Sequence, residues 1–286
     1  MGSYPCTMTA LAGLALLANG STPHEGPYSA NVRRAVEYVL SCSQPSGVLS
    51  NLAEESRCMH GHGFAMLFLA EAYGMERNPA QQARIRRVLA KAVELTGRSQ
   101  SAAGGWLYTP DSGGDEGSVT VTQIQGLRAC RNAGIKVPKT IIQRATKYIE
   151  NSANPDGSIR YRADMRGEQG RPPITAAAVA TLYNAGEYEN PVAVKSLDYL
   201  LQRVRGKEQQ LFSGHLFYGQ LYMAQAMYLS SEANWKGYFP ATRDWLIQIQ
   251  GSDGSWNGDS VGTTYGTAVA LLILQLPYAN LPILQR

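Results

Sequence analysis

Residues 242–256 read TRDWLIQIQGSDGSW. An amphipathic helical run ends at Gln250, a polar turn containing two glycines follows, and Trp256 comes directly after it. The physical logic is local. The Gln250 amide can satisfy backbone groups orphaned at a helix end, while Trp256 covers the apolar junction to the next helix.

Related joints recur along the chain: QPSGVL (44–49), QSAAGGWLY (100–108), NPDGSIRY (154–161) and QGSDGSWNGD (250–259). They follow four of five amphipathic helical runs, 29–43, 78–95, 138–152 and 240–250; these and the fifth, 190–204, carry basic and acidic residues on one face. Between these lie runs that are small, apolar and rich in alanine, at 8–18, 63–75, 118–134, 174–186, 219–231 and 265–276. Such runs suit helices enclosed on every side. The two kinds alternate strictly, inner then outer, which is an internal repeat of a helical hairpin. Strand signals are nearly absent. The pattern predicts an all-α barrel of hairpins in one domain, 1–286, with six inner and about five outer helices. A sixth outer helix is expected before residue 1, and a homodimer partner or a partner domain could cover the flank left without it.

Composition bounds the function. The chain has 286 residues, 44% hydrophobic and 17% charged, with a net charge of +4. The densest basic piece, RIRRVLAK (84–91), is one face of an outer helix, so nucleic acid is not implied as a partner. No apolar run reaches the length of a membrane span, and the apolar start lacks the basic region of a signal peptide, so the sequence reads as soluble, cytoplasmic or exported. Cys6, Cys42, Cys58 and Cys130 show no CxxC pairing; their even count permits disulfides, and free buried thiols fit a helical protein equally.

TRDWLIQIQGSDGSW (242–256) resembles the QW motif of squalene and oxidosqualene cyclases, and ELTGRSQSAAGGW (94–106) resembles a looser copy. The resemblance covers essentially the whole chain. It implies the prenyltransferase and squalene-cyclase repeat group, an α/α toroid whose inner helices run the same way, with their N-termini and positive dipole ends gathered at one mouth. Residues entering the inner helices are therefore the site candidates.

In GGDEGSVTVTQIQGL (113–127), Asp115 and Glu116 stand directly before an inner helix. They are either helix caps, assisted by Ser118, or the acid of an active site. Class II cyclases protonate an alkene or epoxide from an acid at this helix start. On that resemblance Asp115 is the donor and Glu116 its partner, although Gly113 and Gly117 replace expected motif residues. His62 would tune the acid, and Trp106, Tyr108, His215, Tyr218, Tyr222 and Tyr265 would line the substrate path, aromatic faces stabilising cationic charge.

The zinc triad of protein prenyltransferases is absent, because Gly117 and Gly266 stand where two ligands belong. No cofactor is implied. A metal held by His60, His62 and Asp115 is a separate alternative. The expected partner is an apolar, isoprenoid-like small molecule, in a protein catalysing protonation-initiated cyclisation. The alternatives are a non-catalytic ligand- or protein-binding toroid and, ranked last, a carbohydrate-active one.

Overall fold

The computed structural model describes residues 4–285. Its contacts gather in two compact units, residues up to 148 with 278–283, and residues 149–277 with the remaining C-terminal residues. The chain passes from one to the other within a helix. Among the described residues there is no strand, only isolated bridges at the joints.

The first unit contains α1 (Pro5–Ala18), α2 (Ser29–Ser41), α3 (Cys58–Met75), α4 (Pro79–Arg98), α5 (Gly117–Asn132) and most of α6 (Lys139–Asn151), with a 3₁₀ turn at Leu52–Arg57. The second contains α7 (Pro172–Asn184), α8 (Pro191–Tyr199), the short α9 (Glu208–Leu211), α10 (Leu216–Ser230), α11 (Glu232–Gln248) and α12 (Thr263–Gln275). The predicted alternation holds. In α5 and α7 nearly every residue is buried, whereas α2 buries only Val32, Ala35, Val36, Val39 and Leu40, the i, i+3, i+4 stripe of an outer helix.

Two boundaries differ from the sequence reading. The last outer helix begins at Glu232 and not at Pro240: Ser231 accepts the Asn234 N–H at 3.1 Å as an N-cap, and Pro240 lies inside the helix. The outer run at 190–204 is α-helical only to Tyr199, after which residues 200–204 widen into a π turn.

Within the first unit α3 packs on both α1 and α5. Helices α3 and α5 meet almost backbone to backbone, because a methyl group on Gly63 would lie 2.6 Å from the Thr122 carbonyl carbon and one on Gly126 only 2.8 Å from the Gly63 carbonyl oxygen. Within the second unit α10 packs on α7, α11 and α12.

The four joints are one structure built four times. Gly47, Gly104, Gly157 and Gly254 all adopt positive φ, between 82° and 102°, where a side chain is strained. Each donates its N–H to the residue three back: Gln44, Ser101, Asn154 and Gly251, at 2.9–3.0 Å. The residue completing each turn donates its own N–H to a side chain on the next inner helix: Leu49 to His62 Nδ1, Trp106 to Thr120, Ile159 to Thr175 and Trp256 to Thr267. The two tryptophans agree further, their indole N–H groups donating to Thr96 and Leu246 carbonyls at 2.8 and 2.7 Å. The amides of Gln100 and Gln250 donate to the Gly104 and Gly254 carbonyls.

Candidate functional site

In the first unit the entrances of α1, α3 and α5 lie side by side. Helix α1 is capped from outside its own sequence: Glu54 in the 3₁₀ turn accepts the Cys6 and Thr7 N–H groups at 2.7 and 3.2 Å. Helix α5 is capped by Glu116, which is fully buried. Its carboxylate accepts the Ser118 and Val119 N–H groups at 2.7 and 2.6 Å and the Ser118 hydroxyl at 2.8 Å. Negative charge at a helix N-terminus is favoured by the dipole and by those orphan donors.

His60 stands beside this cap, its Nε2 3.1 Å from Ser118 Oγ and 3.7 Å from Glu116 Oε1. The single serine hydroxyl proton goes to Glu116, so His60 Nε2 is the donor in its own bond to Ser118. Burial holds the His60 imidazole below its ordinary range, against the pull of Glu116. Tyr108 stacks near His60, with ring centroids 6.1 Å apart, and the Arg57 guanidinium lies over Tyr108 at 5.0 Å.

Asp115 has a different partner. It is half-buried and accepts the Ser101 hydroxyl at 2.7 Å, which ties it to the joint at 101–106. His62 is fully buried: Nδ1 accepts the Leu49 N–H at 3.0 Å and Nε2 donates to Thr96 Oγ1 at 3.0 Å. It occupies the place that threonine fills in the other three joints, and burial pulls its imidazole down to about 4. Trp106 is likewise wholly enclosed in its joint. The metal alternative on His60, His62 and Asp115 is not assembled. Both His62 nitrogens are committed, Asp115 is bound to Ser101, and no group of three or more His, Cys, Asp or Glu that could hold a metal occurs among the described residues.

In the second unit a tyrosine cluster forms at the start of α10 and α12. Tyr218 and Tyr222 meet edge to face with centroids 4.9 Å apart. Tyr222 is fully buried on α10, and its hydroxyl has no hydrogen-bond partner among the described residues. Tyr265, on the first turn of α12, is nearly buried. Its phenol is pushed well above the ordinary range by burial and by the nearby Asp259 and Tyr222. Asp259 caps α10, accepting the Phe217 and Tyr218 N–H groups at 3.1 and 3.3 Å. Its cap crosses from the loop of one hairpin to the helix of another, which no local pattern announces. His215 is exposed at the N-cap position of α10.

No family model and no curated protein matches the chain. Solved structures do. The α-1,6-mannanase GH76A from Salegentibacter sp. HEL1_6 superposes with a TM-score of 0.67 at 11% identity over 97% of this chain and 90% of that one. The type II terpene cyclase MstE from Scytonema gives 0.58 at 16% identity without ligand, over 96% of this chain and 89% of that one. Its complex with the product merosterolic acid A gives 0.59 at 15% identity, over 94% and 75%. Both kinds of protein are α/α toroids, and that is the fold of this chain. At such identities the likeness concerns fold alone.

Proposed function

We propose that this chain is an isoprenoid-handling protein, similar in fold to the terpene cyclases, which holds an apolar ligand against the tyrosines at the start of α10 and α12. The observation that carries this reading is the Tyr222 hydroxyl. A buried hydroxyl without a partner costs about 1–3 kcal/mol, and three tyrosines are placed together there with Asp259 fixing the helix end. A ligand with an apolar body and one polar atom would satisfy Tyr222 while using the aromatic faces of Tyr218 and Tyr265. His215, exposed at the same helix entrance, would meet the ligand on its way in.

Protonation-initiated cyclisation is a separate proposal, confined to the residues of the first unit. Asp115 would give the proton from its place beside Ser101, Glu116 would hold the entrance of α5 in register, and Tyr108 would line the approach. His62 and Trp106 would support that approach from within their joints. Turnover of polyprenyl substrates by the wild type, lost in Asp115→Asn at unchanged stability, supports that chemistry; retained turnover excludes it. Binding without turnover leaves a carrier of the same ligand.

A glycan-binding reading has one observation in its favour, the comparable likeness to two GH76 proteins, including the mannosidase Bt3792 from Bacteroides thetaiotaomicron at a TM-score of 0.62 and 12% identity, over 94% of this chain and 84% of that one. A thermal-shift series separates the two. Geranylgeraniol is expected to raise the melting temperature saturably and α-1,6-mannooligosaccharides to leave it unchanged. The reverse pattern overturns the isoprenoid reading.

A further inference from the structure

Tyr222 is fully buried, so a ligand reaches its hydroxyl only if a group covering it moves. The segment between the π turn and α10 is built to move. Gly206 and Gly214 bracket it, both at positive φ, 82° and 80°, where a side chain is strained, and a methyl group on either would meet nothing within 4 Å. Between them α9 is a single helical turn. The hydrogen bonds of the segment are its own or run to its near flanks. The Lys207 N–H donates to the Val204 carbonyl at one end, the His215 N–H to the Phe212 carbonyl at the other, and the Gly206 N–H to Glu208 within it. Every residue from 206 to 214 is exposed or half-buried except Phe212, which is fully enclosed.

Phe212 is seated on α10. Its ring lies against Gly219, where a methyl group would stand 2.4 Å from Cδ2 and 2.5 Å from Cγ. Gly219 and Tyr222 are three residues apart and share a helix face. At the rise of an α-helix, the seat of the ring lies about 4.5 Å nearer the helix entrance than Tyr222. We propose that residues 206–214 are a strap that swings on Gly206 and Gly214 and carries Phe212 as the stopper of the tyrosine site, admitting and retaining the apolar ligand. The gate presupposes the isoprenoid-binding reading of that site.

One fully buried side chain holds the strap, so it opens locally at far lower cost than the unit unfolds. With the ring withdrawn, the entrance of α10 offers Tyr218 and Tyr222 to an incoming apolar body. With the ring returned, its face joins theirs and shuts out water. Opening precedes both entry and exit, so the strap slows exchange of the ligand in both directions. Two substitutions separate the parts. Phe212→Ala keeps the segment and removes the stopper, whereas Gly219→Ala keeps the phenyl ring and removes its seat.

The test is limited trypsin digestion of the full chain, since the Arg205–Gly206 and Lys207–Glu208 bonds lie at the first hinge. Expected is cleavage of these bonds in the folded protein, faster by roughly tenfold in Phe212→Ala and in Gly219→Ala, and slowed in the wild type by saturating geranylgeraniol. Bonds that survive until the whole protein unfolds, or variants cut at the wild-type rate, would overturn the strap. Should geranylgeraniol raise the melting temperature yet leave this cleavage unchanged, the gate falls and the isoprenoid reading stands. Should it neither bind nor protect while both variants are cut faster, the isoprenoid reading falls and the gate with it. Wild-type cleavage with and without geranylgeraniol decides the matter if neither variant folds.

Discussion

At the scale of single residues, the structure separates groups that the sequence presents as alike. Asp115 and Glu116 are adjacent acids, yet one serves a joint through Ser101 and the other caps α5 from full burial. The two prospects open for the pair were capping and catalysis, and only the direction of each side chain, invisible in sequence, distributes them. Glu116→Ala is expected to lose about 1–3 kcal/mol in a denaturant titration, leaving two N–H groups of α5 unpaired. Asp115→Asn should cost under about 1 kcal/mol, since the amide can still accept from Ser101. Tyr222→Phe carries the functional prediction. With the partnerless hydroxyl removed, stability should hold or rise by about 1 kcal/mol, while affinity for an isoprenoid alcohol should fall roughly fivefold to tenfold. Equal affinity in the two proteins would detach Tyr222 from any ligand.

At the scale of elements, the hairpin repeat was legible because its causes are local. Periodicity marks the inner and outer helices, and a glycine at positive φ marks each joint. What sequence reading lost is equally physical. Pro240 looks like a helix start, but Ser231 followed by Glu232 is the true entrance, and the chain tolerates the proline on an exposed face. His62 was drawn into the site by its position at an inner-helix entrance. Its joint role shows only when Leu49, thirteen residues earlier, is seen donating to it in the place threonine takes elsewhere. The α3–α5 contact gives a paired test. Gly126→Ala should cost about 1–3 kcal/mol because its methyl meets the Gly63 carbonyl, whereas Gly74→Ala, with open space around it, should gain about 0.5–1 kcal/mol. Denaturant midpoints of the two variants moving in the same direction would contradict this packing.

At the scale of the whole molecule, two buried titratable groups set opposite slopes of stability with pH. His62 is held at about 4 by burial, below its ordinary 6.5, so the unfolded chain binds its proton first. Stability is therefore complete above about pH 6.5 and is lost as pH falls towards 4, by on the order of 3 kcal/mol. Glu71 is raised from 4.5 to about 7 by burial, with only the Ile283 N–H opposing the shift, so its contribution is lost as pH rises from 4.5 to 7. The two windows overlap and their slopes oppose, so Glu71→Gln should leave stability rising with pH between about 4 and 6.5, and His62→Thr should leave it falling between about 4.5 and 7. Identical curves for wild type and both variants would count against these burials.

The fold does not choose between lipid and glycan, since proteins of both kinds share it. The account rests on the tyrosine cluster, and a photoreactive isoprenoid reads its location directly. After irradiation of the full chain with a benzophenone-bearing geranylgeranyl probe, adducts are predicted on the peptides of α10 and α12, suppressed by excess geranylgeraniol and reduced in Tyr222→Phe. Saturable labelling confined to other helices, or none that geranylgeraniol suppresses, would contradict the central claim.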